Sequence, residues 1–481
     1  MNYTVNASRV KHEHSRNFSS RVMTGPCKYF DNIDDTEFDV VVKGTGLAEC
    51  IIASAFTISG KKVLHIDSND FYGGPFASLS LSSLGNIPQS LANDAEVIHC
   101  SRDPSAESFL LCNDKAFSVD VSVPKVLFCR DHSVDFLIMH KASKYMNFLS
   151  VKDLNVWISG GAHIRVPTTR NKIFQDKSLK LSEKRALMNL FKSAMDNTST
   201  AIESSAHSAG DSGLGLKPLI VNEQSQSALE FLRTVVGIDR PELLSGIIHG
   251  VCLYPQSAST LLAVDLLDRI KTFISSLTQY EDGCPLLVPM YGNGDIPQAF
   301  ARMAAVHGAL YILGCDETQL RSEIGAESEW ISTVSEKSLS VFHGVSCVKN
   351  ASAEELVSVS VMHPVSFDDA PVFVIGLPST DSSMGSPNVC PSGYTLLHFV
   401  QISNGSSAEL DTFKSHMSSY LKETEGNLFE FVIHNRKADA NIFSLEDAFE
   451  AARITFNRLL GLPADSALPH PPPDEPADLA E

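Results

Sequence analysis

The fold is predicted by one stretch, Phe38-Asp-Val-Val-Val-Lys-Gly-Thr-Gly-Leu-Ala-Glu-Cys50, and its continuation Lys62-Val-Leu-His-Ile-Asp67. The apolar run Val40–Val42 is typical of a short buried strand, and residues 47–59 have the apolar spacing of a helix. Gly44 and Gly46 make the tight turn between them, as in a dinucleotide-binding βαβ unit. The second strand ends at Asp67, about 20 residues further on, where such units place the acid that binds a ribose. The sequence therefore predicts an α/β fold with a Rossmann-type βαβ unit.

The third glycine of this pattern is replaced by Glu49. In a dinucleotide-binding unit that glycine lets helix and strand pack closely, and the helix N-terminus faces the pyrophosphate. A carboxylate suits the helix dipole but repels a diphosphate. Three interpretations remain open: a flavin or nicotinamide enzyme with an atypical loop, a Rossmann-like scaffold without a ligand, and a binding protein on a fold that has lost its cofactor.

Composition narrows the class of protein. The chain has 481 residues, 43% of them hydrophobic, which is enough for two or three domains with substantial cores. A formal charge of −19 argues against a nucleic-acid partner. The ten cysteines include no Cys-x-x-Cys pair, so we expect reduced thiols, no metal site and a cytoplasmic protein.

A second block runs from Pro289 to Gly308 and reads Pro-Met-Tyr-Gly-Asn-Gly-Asp-Ile-Pro-Gln-Ala-Phe-Ala-Arg-Met-Ala-Ala-Val-His-Gly. Its glycines predict a turn, and Asp295 is the expected N-cap of the helix that follows. Asp295 and Arg302 are seven residues apart, so they project from one side of that helix. From these residues alone, the simplest interpretation is a helix cap and a solvated arginine.

The two blocks together resemble the superfamily of Rab GDP-dissociation inhibitors and Rab escort proteins. Members of that superfamily keep a flavoprotein-like fold without using it for redox chemistry. The first match continues through Phe71-Tyr-Gly-Gly74, which lacks the basic residue found there in flavoprotein amine oxidases of similar layout. The second resembles the superfamily's Pro-Leu-Tyr-Gly-x-Gly-Glu-Leu-Pro-Gln-x-Phe-x-Arg pattern. The resemblance implies an FAD-binding-like α/β fold, lost flavin binding and no catalytic residues.

The resemblance also implies roles for individual residues. Tyr72, Asp295 and Arg302 match the platform that grips the switch regions of a GDP-bound Rab GTPase. Leu310 and Ile312 match further platform positions and are equally compatible with ordinary strand residues. The remaining matched residues form a degenerate dinucleotide loop: Gly44, Gly46, Glu49 and Asp67.

Phe273 matches a phenylalanine that escort proteins insert into the α-subunit of Rab geranylgeranyltransferase. Its spacing from Ile270, Ile274 and Leu277 is also that of a core residue on a helix. We therefore carry two expectations for Phe273: an exposed aromatic that docks the transferase, or a buried core side chain.

We expect four regions in the chain. They are a disordered extension (1–37), a discontinuous FAD-like α/β domain (38–168 and 285–460), an all-helical domain (169–284) and a disordered acidic tail (461–481). A small-residue stretch, 197–226, is predicted to be a flexible insertion within the helical domain. By resemblance, the helical domain would accept the geranylgeranyl lipid of Rab and dock the transferase α/β heterodimer.

Segments such as Tyr72–Leu81 and Lys177–Met188 resemble escort proteins more than dissociation inhibitors. The sequence thus predicts a non-catalytic protein that binds unprenylated, GDP-bound Rab, presents it to the transferase and shields the lipid, with transient peripheral membrane contact. Two alternatives remain: a GDP-dissociation inhibitor that recycles prenylated Rab, and an FAD-dependent oxidoreductase.

Overall fold

The computed structural model describes residues 38–84, 95–158, 162–166, 169–196, 226–279, 285–315, 331, 338–352, 356–380, 386–439 and 443–472. The predicted extension 1–37, almost all of the predicted insertion 197–226 and the end of the predicted tail lie outside these residues.

The described residues form both strands and helices along the chain. The N-terminal part contains β1 (Val40–Lys43), α1 (Leu47–Ile58), β2 (Val63–Ile66), β3 (Ser78–Leu79), α2 (Leu81–Leu84), β4 (Ala95–Arg102), α3 (Glu107–Cys112), β5 (Val119–Asp120), β6 (Leu127–Phe128), α4 (His132–Met139), β7 (Phe148–Ser150), β8 (Asp153–Ile158) and β9 (Ala162–Arg165). A run of helices follows: α5 (Arg170–Gln175), α6 (Leu181–Asp196), α7 (Ala228–Phe231), α8 (Pro241–Ser245) and α9 (Ala263–Leu277). The rest contains β10 (Leu286–Pro289), α10 (Asp295–Val306), β11 (Leu310–Ile312), β12 (Ser338–Lys349), β13 (Ser358–Met362), β14 (Val372–Ser379), β15 (Tyr394–Ile402), α11 (Ser407–Leu421), β16 (Phe429–Asp439) and α12 (Glu446–Leu460).

The predicted βαβ unit is present. Strands β1 and β2 are parallel, with Val40 opposite Val63, and β11 adds a third parallel strand on the other side of β2. Helix α1 connects β1 to β2 and packs against α10 and α12 through side chains that include Ile51, Phe300 and Phe456. All three are buried, and each such side chain stabilises the fold by about 1.5–3 kcal/mol. The α/β fold predicted from the first block is confirmed.

A larger mixed sheet forms the second layer. Within the described residues eight strands pair in the order β4-β16-β12-β15-β14-β13-β8-β9. Strand β13 runs parallel to β8, while the other pairs in this sheet are antiparallel. Because these strands come from three separated segments of the chain, no local pattern predicted this sheet.

The helices between β9 and β10 pack on one face of this sheet. Helices α7 and α8 each continue as a π-helical turn, Leu232–Val236 and Gly246–Val251. Gly246 and Gly250 bring the second of these turns close to the sheet, since a Cβ added at either would lie 3.3–3.4 Å from the side chain of Val166. The described residues between β9 and β10 are mainly helical, and their interior merges with the sheet in one apolar core. Among the described helices, none is long and apolar enough to cross a membrane.

Candidate functional site

The glycine turn after β1 is closed by the chain itself. Gly44 has a φ of +87°, a left-handed conformation that favours glycine, and its N–H donates to the carbonyl of Ile66 at 2.8 Å. The imidazole Nε2–H of His65 donates to the Gly44 carbonyl. Burial lowers the pKa of His65 to about 4, so this histidine is neutral near pH 7.

Asp67, the expected ribose-binding acid, is buried and fully hydrogen-bonded within the chain. One carboxylate oxygen accepts from the N–H and hydroxyl of Thr45 at 2.7 and 2.6 Å. The other accepts from the N–H and side-chain amide of Asn69, both at 2.9 Å. A carboxylate has about four acceptor positions, and all are used here. Asp67 therefore holds the turn to the end of β2 and has no capacity left for ribose hydroxyls.

Glu49 folds back over the same turn. A Cβ built on Gly46 would lie 2.5 Å from the Oε2 atom of Glu49, so the carboxylate covers the first turn of α1. The pyrophosphate of a dinucleotide would need this position at the helix N-terminus. The residues present do not fit a dinucleotide, because one carboxylate would repel the diphosphate and the other is already satisfied.

Tyr72 lies beside this closed turn, in an aromatic cluster. Its ring packs edge-on against Tyr311, with centroids 5.6 Å apart, and Tyr311 lies 4.8 Å from the ring of His65. Burial, with a smaller contribution from the Cys50 thiol, raises the pKa of the half-buried Tyr72, which stays a neutral phenol. Tyr311 sits between the two predicted platform residues of β11, so the structure brings Tyr72 next to that strand.

The second glycine turn is held by a buried acid that sequence reasoning missed. Asp120 accepts from the hydroxyl of Ser78 at 2.5 Å and from the N–H of Asn293 at 2.8 Å. The N–H of Gly294 donates to the same Ser78 hydroxyl at 2.9 Å. Gly292 has a φ of +98°, and a Cβ there would lie 2.6 Å from Asp120 Oδ1. The turn is therefore tied to β3 and β5, and nothing in the local sequence around Asp120 signals this role.

The amide of Asn293 completes this network. Its Nδ2 donates to the Val123 carbonyl at 2.7 Å and to the Ser122 hydroxyl at 3.2 Å, while its Oδ1 accepts from the Lys125 N–H at 2.8 Å. Burial raises the pKa of Asp120 to about 7, with a smaller contribution from Asp295, whereas the Ser78 and Asn293 bonds lower it. The network fixes the direction in which α10 leaves the turn.

Asp295 and Arg302 lie on α10, as predicted. The helix begins at Asp295 and its N-cap is Gly294, one residue before the expected cap. Burial raises the pKa of the partly exposed Asp295 to about 6, against a lowering effect of a hydrogen bond from the Tyr291 backbone N–H. Arg302 is exposed, and its guanidinium lies 5.5 Å from the ring centroid of Tyr145. Both side chains reach the surface from a helix whose opposite face is buried.

The two predicted platform residues of β11 differ in exposure. Leu310 is 39% exposed, whereas Ile312 is 5% exposed and packs with Leu64, Ile66 and Cys315. The two side chains point to the same face of the strand, since that face repeats every second residue, so the difference reflects their position along it: Leu310 begins β11, whereas Ile312 is covered by its apolar neighbours. The assignment of Ile312 to a partner surface is corrected: it is a core residue. We define the platform residues from here on as Tyr72, Asp295, Arg302 and Leu310.

Phe273 is also a core residue in this structure. Its side chain has no exposed surface and packs in the apolar core shared by the helices and the large sheet. The expectation of an exposed aromatic that inserts into a partner is corrected, because a fully buried ring makes no intermolecular contact. The helical spacing from Ile270 had indicated this alternative.

A small apolar cavity of about 20 Å³ lies between the helices and the sheet. Its lining comes from β8, β9, α6, α8 and their connections: Val156, Ile164, Arg165, Val166, Asp176, Leu179, Leu187, Phe191, Arg240, Glu242, Leu243, Gly246, Ile247 and Val251. Arg240 lies 3.7 Å from the carboxylates of both Glu183 and Glu242. The lining is thus apolar with a few paired charges, and the cavity has room for about one water-sized group. Sequence reasoning did not find this cavity, because the lining residues are scattered along the chain.

Comparison with known proteins identifies relatives of the chain. The family model described as GDP dissociation inhibitor matches residues 34–349. Rab escort protein 1 of Arabidopsis thaliana is 31% identical over 322 residues, covering 60% of this chain and 56% of that protein. A guanosine nucleotide diphosphate dissociation inhibitor of the same plant is 30% identical over 287 residues, covering 60% and 58%. The chain thus spans a little over half the length of these curated relatives.

The fold resembles a solved structure over nearly its whole length. The crystal structure of a Rab GDI from Plasmodium falciparum superposes with a TM-score of 0.58 at 17% identity, covering 88% of this chain and 98% of that one. At this identity the similarity concerns the fold alone. The FAD-binding-like architecture expected from the sequence is therefore present, on a turn that does not fit the cofactor.

Proposed function

The chain belongs to the GDP dissociation inhibitor family, and on this premise we propose that it is a Rab escort protein. It binds GDP-bound, unprenylated Rab, presents it to Rab geranylgeranyltransferase and shields the attached lipid until delivery to a membrane. The observation that carries the proposal is the surface of α10, which presents Asp295 and Arg302 from a turn held by the buried Asp120 network.

Rab binding is assigned to the platform residues. Arg302 is a cation on a rigid helix, able to form charge-assisted hydrogen bonds with partner carboxylates or carbonyls. Tyr72, whose ring packs against Tyr311, adds aromatic surface, and the exposed Leu310 at the start of β11 adds apolar surface. A surface of this kind, with one arginine and one tyrosine on rigid elements, has the composition of an interface centre. Packing of α10 against α1 keeps the backbone of Asp295 and Arg302 in place before a partner binds.

Lipid shielding is assigned to the helical segment. The cavity between α6, α8 and the sheet has apolar walls and would have to widen to admit a hydrocarbon chain. Burial of such a chain is favourable by about 0.8 kcal/mol per methylene, so even partial insertion would compete with membrane partitioning. We further propose that the transferase docks on the outer surface of these helices through residues other than Phe273, which is buried.

The proposed activity requires no catalytic residue and no cofactor. Two acids of the first glycine turn support this, because both disfavour the binding of a dinucleotide. Glu49 covers Gly46, and Asp67 is hydrogen-bonded to Thr45 and Asn69. Residence in the cytosol with transient membrane contact follows from the proposed role. The regions 38–168 with 285–460, and 169–284, are proposed as the α/β and helical domains.

A specific observation also favours a GDP-dissociation inhibitor. One of the similar plant proteins carries that name at 30% identity, nearly the same as the escort protein. Such a protein would extract prenylated Rab from membranes and would not support prenylation. The buried Phe273 is compatible with this role, because no exposed aromatic is offered to the transferase at that position.

The deciding experiment is geranylgeranylation of an unprenylated, GDP-bound Rab by purified transferase, with and without this protein. We expect lipid transfer only when the protein is added, and weaker transfer with Arg302→Ala. Arg458→Ala is the matched control, because Arg458 is exposed on α12, outside the platform. No stimulation, together with extraction of prenylated Rab from membranes, would assign the inhibitor role. A visible flavin absorbance in the same preparation would support the oxidoreductase alternative instead.

A further inference from the structure

One surface of the helical segment has a charge opposite to that of the whole chain. The segment Arg170–Lys192 contains seven basic and two acidic residues, in a chain whose formal charge is −19. Arg170, Lys177, Lys180 and Arg185 are exposed there. The basic residues thus form a patch on α5, on the start of α6 and on the connection between these helices.

The two acids of this segment are directed to internal partners. Glu183 is 9% exposed, and its carboxylate accepts from the Lys180 N–H at 2.7 Å and lies 3.7 Å from the guanidinium of Arg240. Asp176 is half-buried and accepts from the Ser178 N–H at 2.7 Å. The charge that the segment presents to solvent is therefore mainly positive.

Two large apolar side chains stand within this basic patch. Phe174 is 53% exposed and Leu181 is 63% exposed. Each has a buried residue close by in the chain: Ile173 precedes Phe174, and Leu179 lies two residues before Leu181. The ammonium of Lys184 donates to the Phe174 carbonyl at 2.7 Å, which fastens the end of α5 to α6. The backbone that carries the exposed Phe174 is thus anchored to α6.

From this arrangement we infer that the α5–α6 face, with Phe174 and Leu181 at its centre, docks on an anionic phospholipid surface. Positive side chains are attracted to the headgroups of anionic lipids, and apolar side chains between them enter the boundary with the acyl chains. An acidic protein would also attract the charges, but two solvated apolar side chains among lysines suit a fluid surface better than a fixed one. The inference does not depend on the proposed escort role, because it concerns the chain without a partner.

The basic patch and the apolar cavity share one segment of the chain. Asp176, Leu179 and Leu187 line the apolar cavity and belong to the same segment that carries the patch. A membrane contact at this segment would therefore place the cavity lining next to the bilayer.

The test is cosedimentation of the whole protein with vesicles of phosphatidylcholine and phosphatidylserine, and with vesicles of phosphatidylcholine alone. We expect binding to the mixed vesicles that weakens as salt is raised, because salt screens exposed charges. The double variant Lys177→Gln/Lys180→Gln should bind about 30-fold more weakly, the effect of removing two charges near an anionic surface. Phe174→Ala with Leu181→Ala should weaken binding at every salt concentration.

The matched control is Ile454→Ala on α12, an apolar side chain that is 44% exposed outside the basic patch. It should bind mixed vesicles as the unmodified protein does. Equal binding to both kinds of vesicle, or unchanged binding by the lysine double variant, would overturn the inference. Absence of vesicle binding would also overturn the inference and would leave an acidic protein as the alternative partner of the basic patch. Rab binding, measured separately, should be unchanged in all these variants, so a failure here is distinguishable from a failure of the platform.

Discussion

Replacement of Phe273 by alanine distinguishes a core residue from a docking residue. The ring has no exposed surface and lies in the core between the helices and the large sheet. Removal of a fully buried phenylalanine costs about 3–5 kcal/mol, because apolar contacts are lost and a cavity remains. At roughly 2–4 °C per kcal/mol for a cooperative unit of about 150–250 residues, Tm should fall by about 6–20 °C.

The assay is thermal unfolding of the whole protein, followed by binding of transferase and of Rab below the transition. Phe273→Leu is the control, because leucine fills most of the site and should lower Tm much less than alanine does. If Phe273 acts only through the core, the leucine variant keeps both binding activities. An alanine variant with unchanged Tm and lost transferase binding would refute the reasoning, since that result requires an exposed ring.

Three further predictions concern the two glycine turns and the platform. Burial raises the pKa of Asp120 to about 7, so between about pH 4 and pH 7 the folded state holds a proton that the unfolded chain, with the ordinary carboxyl pKa of 3.8, has lost. The free energy of unfolding should therefore fall as the pH rises through this range, by up to about 1.4 kcal/mol per pH unit. Asp120→Asn should reduce this slope in denaturant titrations. Asp67→Ala leaves buried donors of Thr45 and Asn69 unpaired and should lower the free energy of unfolding by about 1–3 kcal/mol in the same assay. The control Asp70→Ala removes an exposed acid and should change the free energy of unfolding little. Equal effects of the two variants would contradict the structural role of Asp67. Arg302→Ala should weaken Rab binding about tenfold or more in a titration while Tm changes little, since the side chain is exposed; unchanged affinity would remove Arg302 from the platform.

The first block shows how far sequence reasoning reaches when the relevant contacts are local. Apolar runs, the spacing of Gly44 and Gly46 and the helical pattern that follows all concern neighbouring residues, and together they predicted β1, α1 and β2. The same holds for α10, whose start was predicted within one residue from the turn before it. Glu49 indicated from its position alone that the turn does not suit a diphosphate.

What the sequence by itself determined is therefore the βαβ unit, the run of helices and the family to which the chain belongs. Only the tertiary structure decided the pairing of the eight-stranded sheet, the closure of the turn by Asp67, the role of Asp120 and the burial of Phe273 and Ile312. The physical reason is that strand pairing and burial depend on residues far apart in the chain. Whether an aromatic at helical spacing faces solvent or core depends on which surfaces pack against its helix, and local spacing does not contain that information.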